Sequence, residues 1–428
     1  MTKLLIFGIT GDLSTRKLLP ALDKIIGTGD FDDVEIIGVS RRKVDVRQLL
    51  MDSKVGERLA SRVAIVSMDL ARSDDYVRLK DSIRLKSDEQ LLIYLSVPPR
   101  AAAQIVDFLG EAGLNTPDVK LLFEKPFGVD YTSANEVIAR TARYYHEDQI
   151  YRIDHYLAKE MAQNIVAFRG GNALFSHIWN NKAIEKIEIL AIENIGIEGR
   201  AGFYEQTGAL RDVLQGHLMQ LLALTLMDIP DDFNWDKLPE LRLAALQSIL
   251  PVDPSKALRA QYEGYPIEAK NPGSLTETFV SVELHSSAPQ WEGVPLLLTT
   301  GKALDQKTTE VRIHFRKRHE AQSNCLTLHI QPNEGVEIEL FTKKPGYDRR
   351  FQTQKLAFTY PEDTILPDAY EQVIVDAIRS HKSLFTSSDE VLRSWRVLQP
   401  LLDDWNMRRE TPMSYPVGAS THTISSVE

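Results

Sequence analysis

Short apolar runs alternate with amphipathic stretches over the first third of the chain, and a cluster of alternating strands follows later. This pattern predicts an α/β protein: an N-terminal Rossmann-like doubly wound sheet, then a C-terminal α+β domain with a large, mostly antiparallel sheet. A third observation is length. At 428 residues the chain exceeds what one hydrophobic core usually holds, so two domains are expected, 1–150 and 151–428.

In the first domain the strand candidates are Leu4–Phe7, Val34–Val39, Val63–Ser67, Leu91–Leu95 and Val119–Phe123. Their continuous apolarity fits a parallel sheet covered on both faces. Between them, Leu18–Ile26, Tyr76–Ile83 and Ala101–Leu109 repeat apolar residues at helical spacing. The second domain opens with a helix over Ala158–Phe168, a strand at Ile187–Ile192 and a long helix over Gly208–Met227. Strands are then expected at Thr278–Leu284, Leu296–Thr300, Val311–Phe315, Leu326–Ile330 and Val336–Phe341. Two helices, Ala369–His381 and Asp389–Trp405, close the domain, and the polar tail after Met407 is expected to be loosely ordered.

Hydrophobic residues make up 43% and charged residues 26%, the balance of an ordinary soluble protein. The formal net charge of −10 provides no positive field for phosphate polymers, so neither nucleic acid nor an anionic membrane is expected as a partner. An anionic small substrate would need a local basic pocket. The apolar stretch Leu218–Met227 is far too short to span a bilayer. With one cysteine, Cys325, there is no intrachain disulfide and no cysteine-based zinc framework. A cytoplasmic location and no metal are expected.

Gly8-Ile9-Thr10-Gly11-Asp12-Leu13 follows the first strand and opens a helix. Glycines there allow a tight turn and close approach of a pyrophosphate to the helix N-terminus. The spacing is G-x-x-G rather than the full G-x-G-x-x-G, and a plain strand–turn–helix also fits it. The second strand ends in Ser40-Arg41-Arg42. An acidic residue at that point would meet a ribose hydroxyl, whereas guanidinium suits a 2′-phosphate, which favours NADP over NAD. Two solvated surface arginines are the commoner reading of such a pair.

Three further segments carry chemistry: Glu124-Lys125-Pro126-Phe127-Gly128, Arg152-Ile153-Asp154-His155-Tyr156-Leu157-Ala158-Lys159-Glu160, and Gly208-Ala209-Leu210-Arg211-Asp212-Val213-Leu214-Gln215-Gly216-His217. Alcohol oxidation needs a base for the hydroxyl proton, a carboxylate to orient it and a hydride acceptor. A phosphorylated substrate needs cations and hydrogen-bond donors. Taken alone, His217 on an apolar helix also reads as a satisfied core histidine, and Lys302 and Lys307 as solvent charges.

Together these segments resemble the glucose-6-phosphate dehydrogenase family. So do Glu198-Gly199-Arg200, Gly301-Lys302-Ala303-Leu304, Gln331-Pro332-Asn333-Glu334 and Leu366-Pro367-Asp368-Ala369-Tyr370-Glu371, all in order from Gly8 to about Trp405. The resemblance implies that His217 is the general base and Asp154 its supporting carboxylate. It places His155, Tyr156 and Lys159 at the substrate phosphate, and Glu193, Asp212, Lys302, Lys307 and Gln331 among the substrate-binding groups. Lys125 would reach both substrate and coenzyme, with Gly8, Gly11, Asp12, Leu13 and Arg41 at the coenzyme. Glucose 6-phosphate and NADP are the ligands it implies, with assembly as a homodimer or homotetramer through the large sheet. Three positions depart from the family pattern: Ala158 and Ala201 stand for glycines, and Gly216 for an asparagine. A glucose–fructose-oxidoreductase-type enzyme shares the E-K-P motif but not the D-H-Y-L-x-K-E segment. A non-catalytic NADPH-binding protein would have no need of His217 with Asp154.

Overall fold

The computed structural model describes residues 1–318, 323–361 and 363–426. It divides into two compact units. The first comprises Met1–Gly128, Thr132–Ala158 and Pro367–Val391; the second comprises Val129–Tyr131, Lys159–Leu366 and Leu392–Glu428. The chain thus re-enters the first unit after residue 366, which a single boundary near residue 150 does not describe.

The first unit is built on strands β1 (Thr2–Phe7), β2 (Val34–Ser40), β3 (Val63–Ser67), β4 (Gln90–Leu95), β5 (Val119–Phe123) and β6 (Ile150–Ile153). Among the described residues they form a parallel sheet in the order β6-β5-β4-β1-β2-β3. The short strand Phe385–Thr386 pairs antiparallel with the outer edge of β6. Successive β1 side chains point to opposite faces, as a strand requires. Leu4 and Ile6 enter one apolar layer with Leu22, Ile25, Leu92 and Phe385. Leu5 and Phe7 enter the other with Tyr76, Leu79, Ile93 and Leu121. In the central strands β1, β4 and β5 and in β6 almost every residue is buried on both faces, which is why these strands read as largely apolar runs, whereas β2 and β3 are partly exposed. Strand order reverses between β1 and its neighbours β4 and β2, so a crevice opens beyond the carboxyl ends at this switch point.

The second unit holds β7 (Ile184–Ile192), β8 (Ala257–Tyr262), β9 (Phe279–Leu284), β10 (Leu296–Gly301), β11 (Thr308–Phe315), β12 (Cys325–Gln331), β13 (Gly335–Lys343) and β14 (Phe351–Thr359). With Met413–Tyr415 they form a sheet in the order β14-β13-β12-β11-β7-β10-β9-β8-(Met413–Tyr415). It is mostly antiparallel, but β7 and β10 run parallel. Along β11 the residues Val311 and Ile313 are buried while Arg312 and His314 face outward, so this sheet has one apolar and one polar face.

Two sequence expectations are corrected. The tail after Met407 is ordered: Met413–Tyr415 pairs with β8, and Thr421–Ser425 is helical. Tyr415 fixes it, because its ring is buried and its hydroxyl donates to the Lys302 carbonyl at 2.6 Å. The helix expected to begin at Gly208 starts instead at Ala201 and kinks at Gly208, whose φ of 63° breaks the regular winding.

Candidate functional site

In the first unit, every predicted site residue follows the carboxyl end of a strand. Gly8 follows β1, Arg41 follows β2, Lys125 follows β5, and Asp154, His155 and Tyr156 follow β6. Gly8 sits at the switch point with φ 80°, and a Cβ there would lie 2.2 Å from the Ser96 carbonyl oxygen after β4. No other residue fits, and the bare backbone leaves room for a ligand's close approach. Gly11 N–H closes the turn on Gly8 O at 2.9 Å. Ser14 braces the turn, its hydroxyl 2.9 Å from Gly8 O and 3.1 Å from Ser96 Oγ. Leu13 stands at the N-cap without a side-chain hydrogen bond to the helix. Asp12 instead turns outward to pair with Arg16 at 2.7 Å. Arg41, Arg42 and Lys43 form a run of exposed cations at the end of β2, and the Arg42 N–H donates to Ser40 Oγ at 3.2 Å. A pyrophosphate at Gly8 and a 2′-phosphate at Arg41 both fit these residues.

Asp154 is buried, and one of its carboxylate oxygens accepts the Tyr156 N–H at 3.0 Å. This short turn lifts His155 out beside two aromatic rings, Tyr156 at 5.1 Å and Tyr370 at 6.3 Å between centroids. Ala158, a departure from the family pattern, is fully accommodated in the apolar layer. Glu124 has no role in the sequence reading although it begins the E-K-P-F-G segment. Burial pushes its carboxyl up to about 7; the hydrogen bond from Tyr94 acts the other way, and the charge of Asp154 raises it further. Glu124 thus adds a carboxyl near neutrality to the strand-end residues, within the field of the buried Asp154.

In the second unit, Glu193, Lys302, Lys307 and Gln331 come to one end of the sheet. Ile192 and Gly301, which end the parallel pair β7 and β10, are register partners. The next residues, Glu193 and Lys302, form an ion pair, with Lys302 buried and 5.4 Å from the Tyr204 ring. Lys307 is exposed just before β11, whose Thr309 is the register partner of Gln331 at the end of β12. Lys159 donates to Gln331 Oε1 at 2.6 Å, and Gln331 Nε2 donates to Thr309 Oγ1 at 3.0 Å. Thr309 therefore belongs to this cluster, which the sequence alone does not disclose.

His217 is buried on a helix whose segment Leu210–Leu218 is π-wound. The winding has a consequence for Asp212. In an α-helix, five residues turn the chain by about 500°, leaving i and i+5 on different sides. In a π-turn with i→i+5 bonds they come to the same side. Asp212 and His217 thus share a face, which regular helical periodicity does not anticipate. The start of this segment is held by Glu277, buried on the strand side, whose carboxylate accepts the Leu210 N–H at 2.9 Å. A Cβ at Gly208 would lie 2.4 Å from that carboxylate, so glycine is required there too.

Among the described residues, no group of three or more His, Cys, Asp or Glu side chains could hold a metal ion. None of the described helices is long and apolar enough to cross a membrane.

A doubly wound unit with a glycine-built switch point, in one chain with a large-sheet unit carrying a buried histidine, a carboxylate and paired lysines, defines a nucleotide-dependent oxidoreductase class. Two family models match, "Glucose-6-phosphate dehydrogenase, NAD binding domain" over residues 5–164 and "Glucose-6-phosphate dehydrogenase, C-terminal domain" over 166–425. A glucose-6-phosphate 1-dehydrogenase of Dickeya dadantii is 33% identical, over 97% of this chain and 93% of its own length. A solved glucose-6-phosphate dehydrogenase in complex with its substrate, glucose-6-phosphate, is 31% identical with a TM-score of 0.92, covering 98% of this chain and 95% of the other. The glucose-6-phosphate 1-dehydrogenase from Mycobacterium avium is also 31% identical, with a TM-score of 0.87 and coverage of 98% and 94%. The chain belongs to the glucose-6-phosphate dehydrogenase family.

Proposed function

We propose that this chain oxidises D-glucose 6-phosphate at C1 to 6-phospho-D-glucono-1,5-lactone with NADP, the first oxidative step of the pentose phosphate pathway. The observation that carries this is full-length membership of the family with His217, Asp154 and Lys159 all in place. His217 removes the proton from the C1 hydroxyl, and Asp154 supports the resulting imidazolium. NADP, when bound, supplies the hydride acceptor. Its site is Gly8, Gly11, Asp12, Leu13 and Arg41, with Lys125 serving coenzyme and substrate alike. His155, Tyr156 and Lys159 hold the phosphate, while Glu193, Asp212, Lys302, Lys307 and Gln331 orient the sugar. The burial of Lys302 against Glu193 supports this reading, since a buried ammonium needs a fixed partner. No metal enters the reaction.

The test is NADPH formation, followed spectrophotometrically with glucose 6-phosphate, other sugar phosphates, free glucose and both coenzymes. Turnover of free glucose as efficient as that of its phosphate would point to the glucose–fructose-oxidoreductase type. Coenzyme binding without any turnover would point to a non-catalytic protein.

The chain assembles as a homodimer or homotetramer. Support comes from the free edge of the large sheet, where Leu340, Phe351, Leu356 and Phe358 are exposed beside an apolar cavity lined by Met161, Phe168 and Ile338. Equilibrium sedimentation of the wild type and of Phe351→Asp with Phe358→Asp measures it; a monomeric wild type refutes it. A cytoplasmic location fits the unpaired Cys325, and neither nucleic acid nor membrane fits the net charge of −10. Cell fractionation decides the location.

A further inference from the structure

The helix segment that carries Asp212 and His217 begins at a break in the winding. Gly208 has φ 63° and ψ 179°, so the helix from Ala201 stops there and a new winding starts at Ala209. The first N–H groups of a helix find no acceptor inside it. Here two of them go to one residue outside. The Ala209 N–H donates to the Glu277 carbonyl at 3.0 Å, and the Leu210 N–H donates to the Glu277 carboxylate at 2.9 Å. Glu277 is 4% exposed, and a carboxylate is costly to bury. Burial raises its carboxyl, while the charge of Arg211 and the Leu210 N–H work against that, so the carboxylate and the positive end of the segment stabilise each other.

The next residue grips a second part of the site. The Thr278 carbonyl accepts the Lys302 N–H at 2.9 Å. Thr278 Oγ1 lies 2.9 Å from the Tyr415 hydroxyl, which donates to the Lys302 carbonyl at 2.6 Å. Glu277 and Thr278 lead directly into β9, where Phe279 is the register partner of Gly301 at the end of β10. Two consecutive residues at the root of one strand thus fix the start of the helix segment and the backbone of Lys302 together. The register of that start matters for the chemistry. Asp212 and His217 share a face only while Leu210–Leu218 is π-wound. Relaxation to the commoner α-winding would turn them to different sides of the helix.

We propose that Glu277 is a positioning residue for the sugar oxidation: by holding Ala209 and Leu210 it sets the register of Leu210–Leu218, and so places His217 and Asp212 relative to Lys302. It acts through His217 and therefore rests on the reading of that histidine as the base.

The test measures kcat, KM and the deuterium isotope effect on kcat with glucose 6-phosphate carrying deuterium at C1, beside thermal melting. In Glu277→Ala a misplaced base should lower kcat by roughly 10–100-fold and leave KM within about threefold, the scale of a small displacement at the reacting atoms. The isotope effect should rise, because chemistry becomes the slowest step. Glu277→Gln, whose amide oxygen accepts the same N–H, should keep kcat within about threefold of wild type. Glu277→Asp withdraws the acceptor by one methylene and should fall between the two; it gives the answer if the alanine variant does not fold. A lower melting point in Glu277→Ala or Glu277→Asp with kcat and isotope effect unchanged would make the residue merely structural and overturn the proposal, as would a glutamine variant as slow as the alanine one. A wild type that forms no NADPH from glucose 6-phosphate overturns the reading of the reaction itself, and this proposal with it; an active wild type confines any failure to Glu277.

Discussion

The two sheets treat charge in opposite ways, and two glutamates show it. Glu124 directly follows β5, a strand buried on both faces, and desolvation pushes its carboxyl up to about 7. Glu188 lies mid-strand on the polar face of the other sheet. Burial alone would raise it too, but hydrogen bonds from His314 and Lys186 outweigh that and hold it down to about 2. A doubly covered sheet can place polar groups only at its strand ends, where backbone and a few desolvated side chains make the site. A half-exposed sheet carries charge along its face and must pair it. Recognition at the Gly8 turn should therefore rest largely on backbone shape, and recognition in the second unit on individual charged side chains.

Six substitutions probe this contrast. The largest effect is expected in the second unit: His217→Asn should lower kcat by roughly 10²–10⁴-fold while leaving fold and KM nearly intact. Near-wild-type kcat would remove His217 from the base role. In the first unit, Gly8→Val should act through the backbone, since its Cβ meets the Ser96 carbonyl at a positive φ. A destabilisation of about 2–4 kcal/mol and loss of coenzyme binding are expected, read by thermal melting and NADP titration. A melting point and NADP affinity equal to wild type would mean the turn tolerates a side chain.

Lys159→Ala tests the charged side. KM for glucose 6-phosphate should rise by one to two decades, the scale of about 1.5–3 kcal/mol for a charge-assisted bond, with saturating free glucose hardly affected. Equal harm to both substrates would make the lysine structural. Arg41→Ala tests a charged side chain of the first unit, the one expected to read the coenzyme's 2′-phosphate. NADP should weaken by about the same one to two decades and NAD hardly at all; comparing kcat/KM for both coenzymes decides it, and equal losses would exclude a 2′-phosphate contact.

The smallest effects compare the glutamates. Glu124 binds its proton more tightly folded than unfolded, so the stability it contributes is full below about 4.5 and lost as pH rises toward 7. Glu124→Gln should therefore melt higher than wild type at pH 8, by on the order of 1–2 kcal/mol, and equally at pH 4. Glu188 has the opposite sign: its contribution is present above the ordinary carboxylate range and lost as pH falls toward 2. Glu188→Gln should be less stable by on the order of 1 kcal/mol at pH 7, with the gap closing in acid. Melting curves that shift in the same direction for both variants would break the comparison.

The same contrast explains what could be read in advance. Strands β1 to β5 were legible because each carries a short, mostly apolar run, which burial on both faces demands of β1, β4 and β5, and Gly8 because its turn follows such a run. Strand β14 was not legible: its residues are largely exposed, so no alternation marks it. Strand β8 and the strand Met413–Tyr415 lack an apolar signature of their own; β8 pairs with β9, and Met413–Tyr415 in turn with β8. Glu124 could have been noticed as the head of a quoted motif. Glu277 and Thr309 could not, because only long-range packing brings them to Leu210 and Gln331. The shared face of Asp212 and His217 depends on π-winding, which periodicity at 3.6 residues misses.

The late strand Phe385–Thr386 has a consequence for biosynthesis. It closes the outer edge of β6, its Phe385 pairing with Ile153, 232 residues earlier in the chain (385 − 153). The same segment receives the Lys120 ammonium, which donates to the Ala377 carbonyl at 2.8 Å and to Ser380 Oγ at 2.7 Å. At about 5–20 residues per second, a ribosome needs roughly 10–50 s to deliver that strand after β6 has emerged. Through that interval the nascent sheet presents an open edge, and Lys120 lacks its acceptors from that segment. Open edges recruit other chains. The nascent chain is thus at its stickiest while the second unit is being made, and a gene cut short before residue 367 would leave it so permanently.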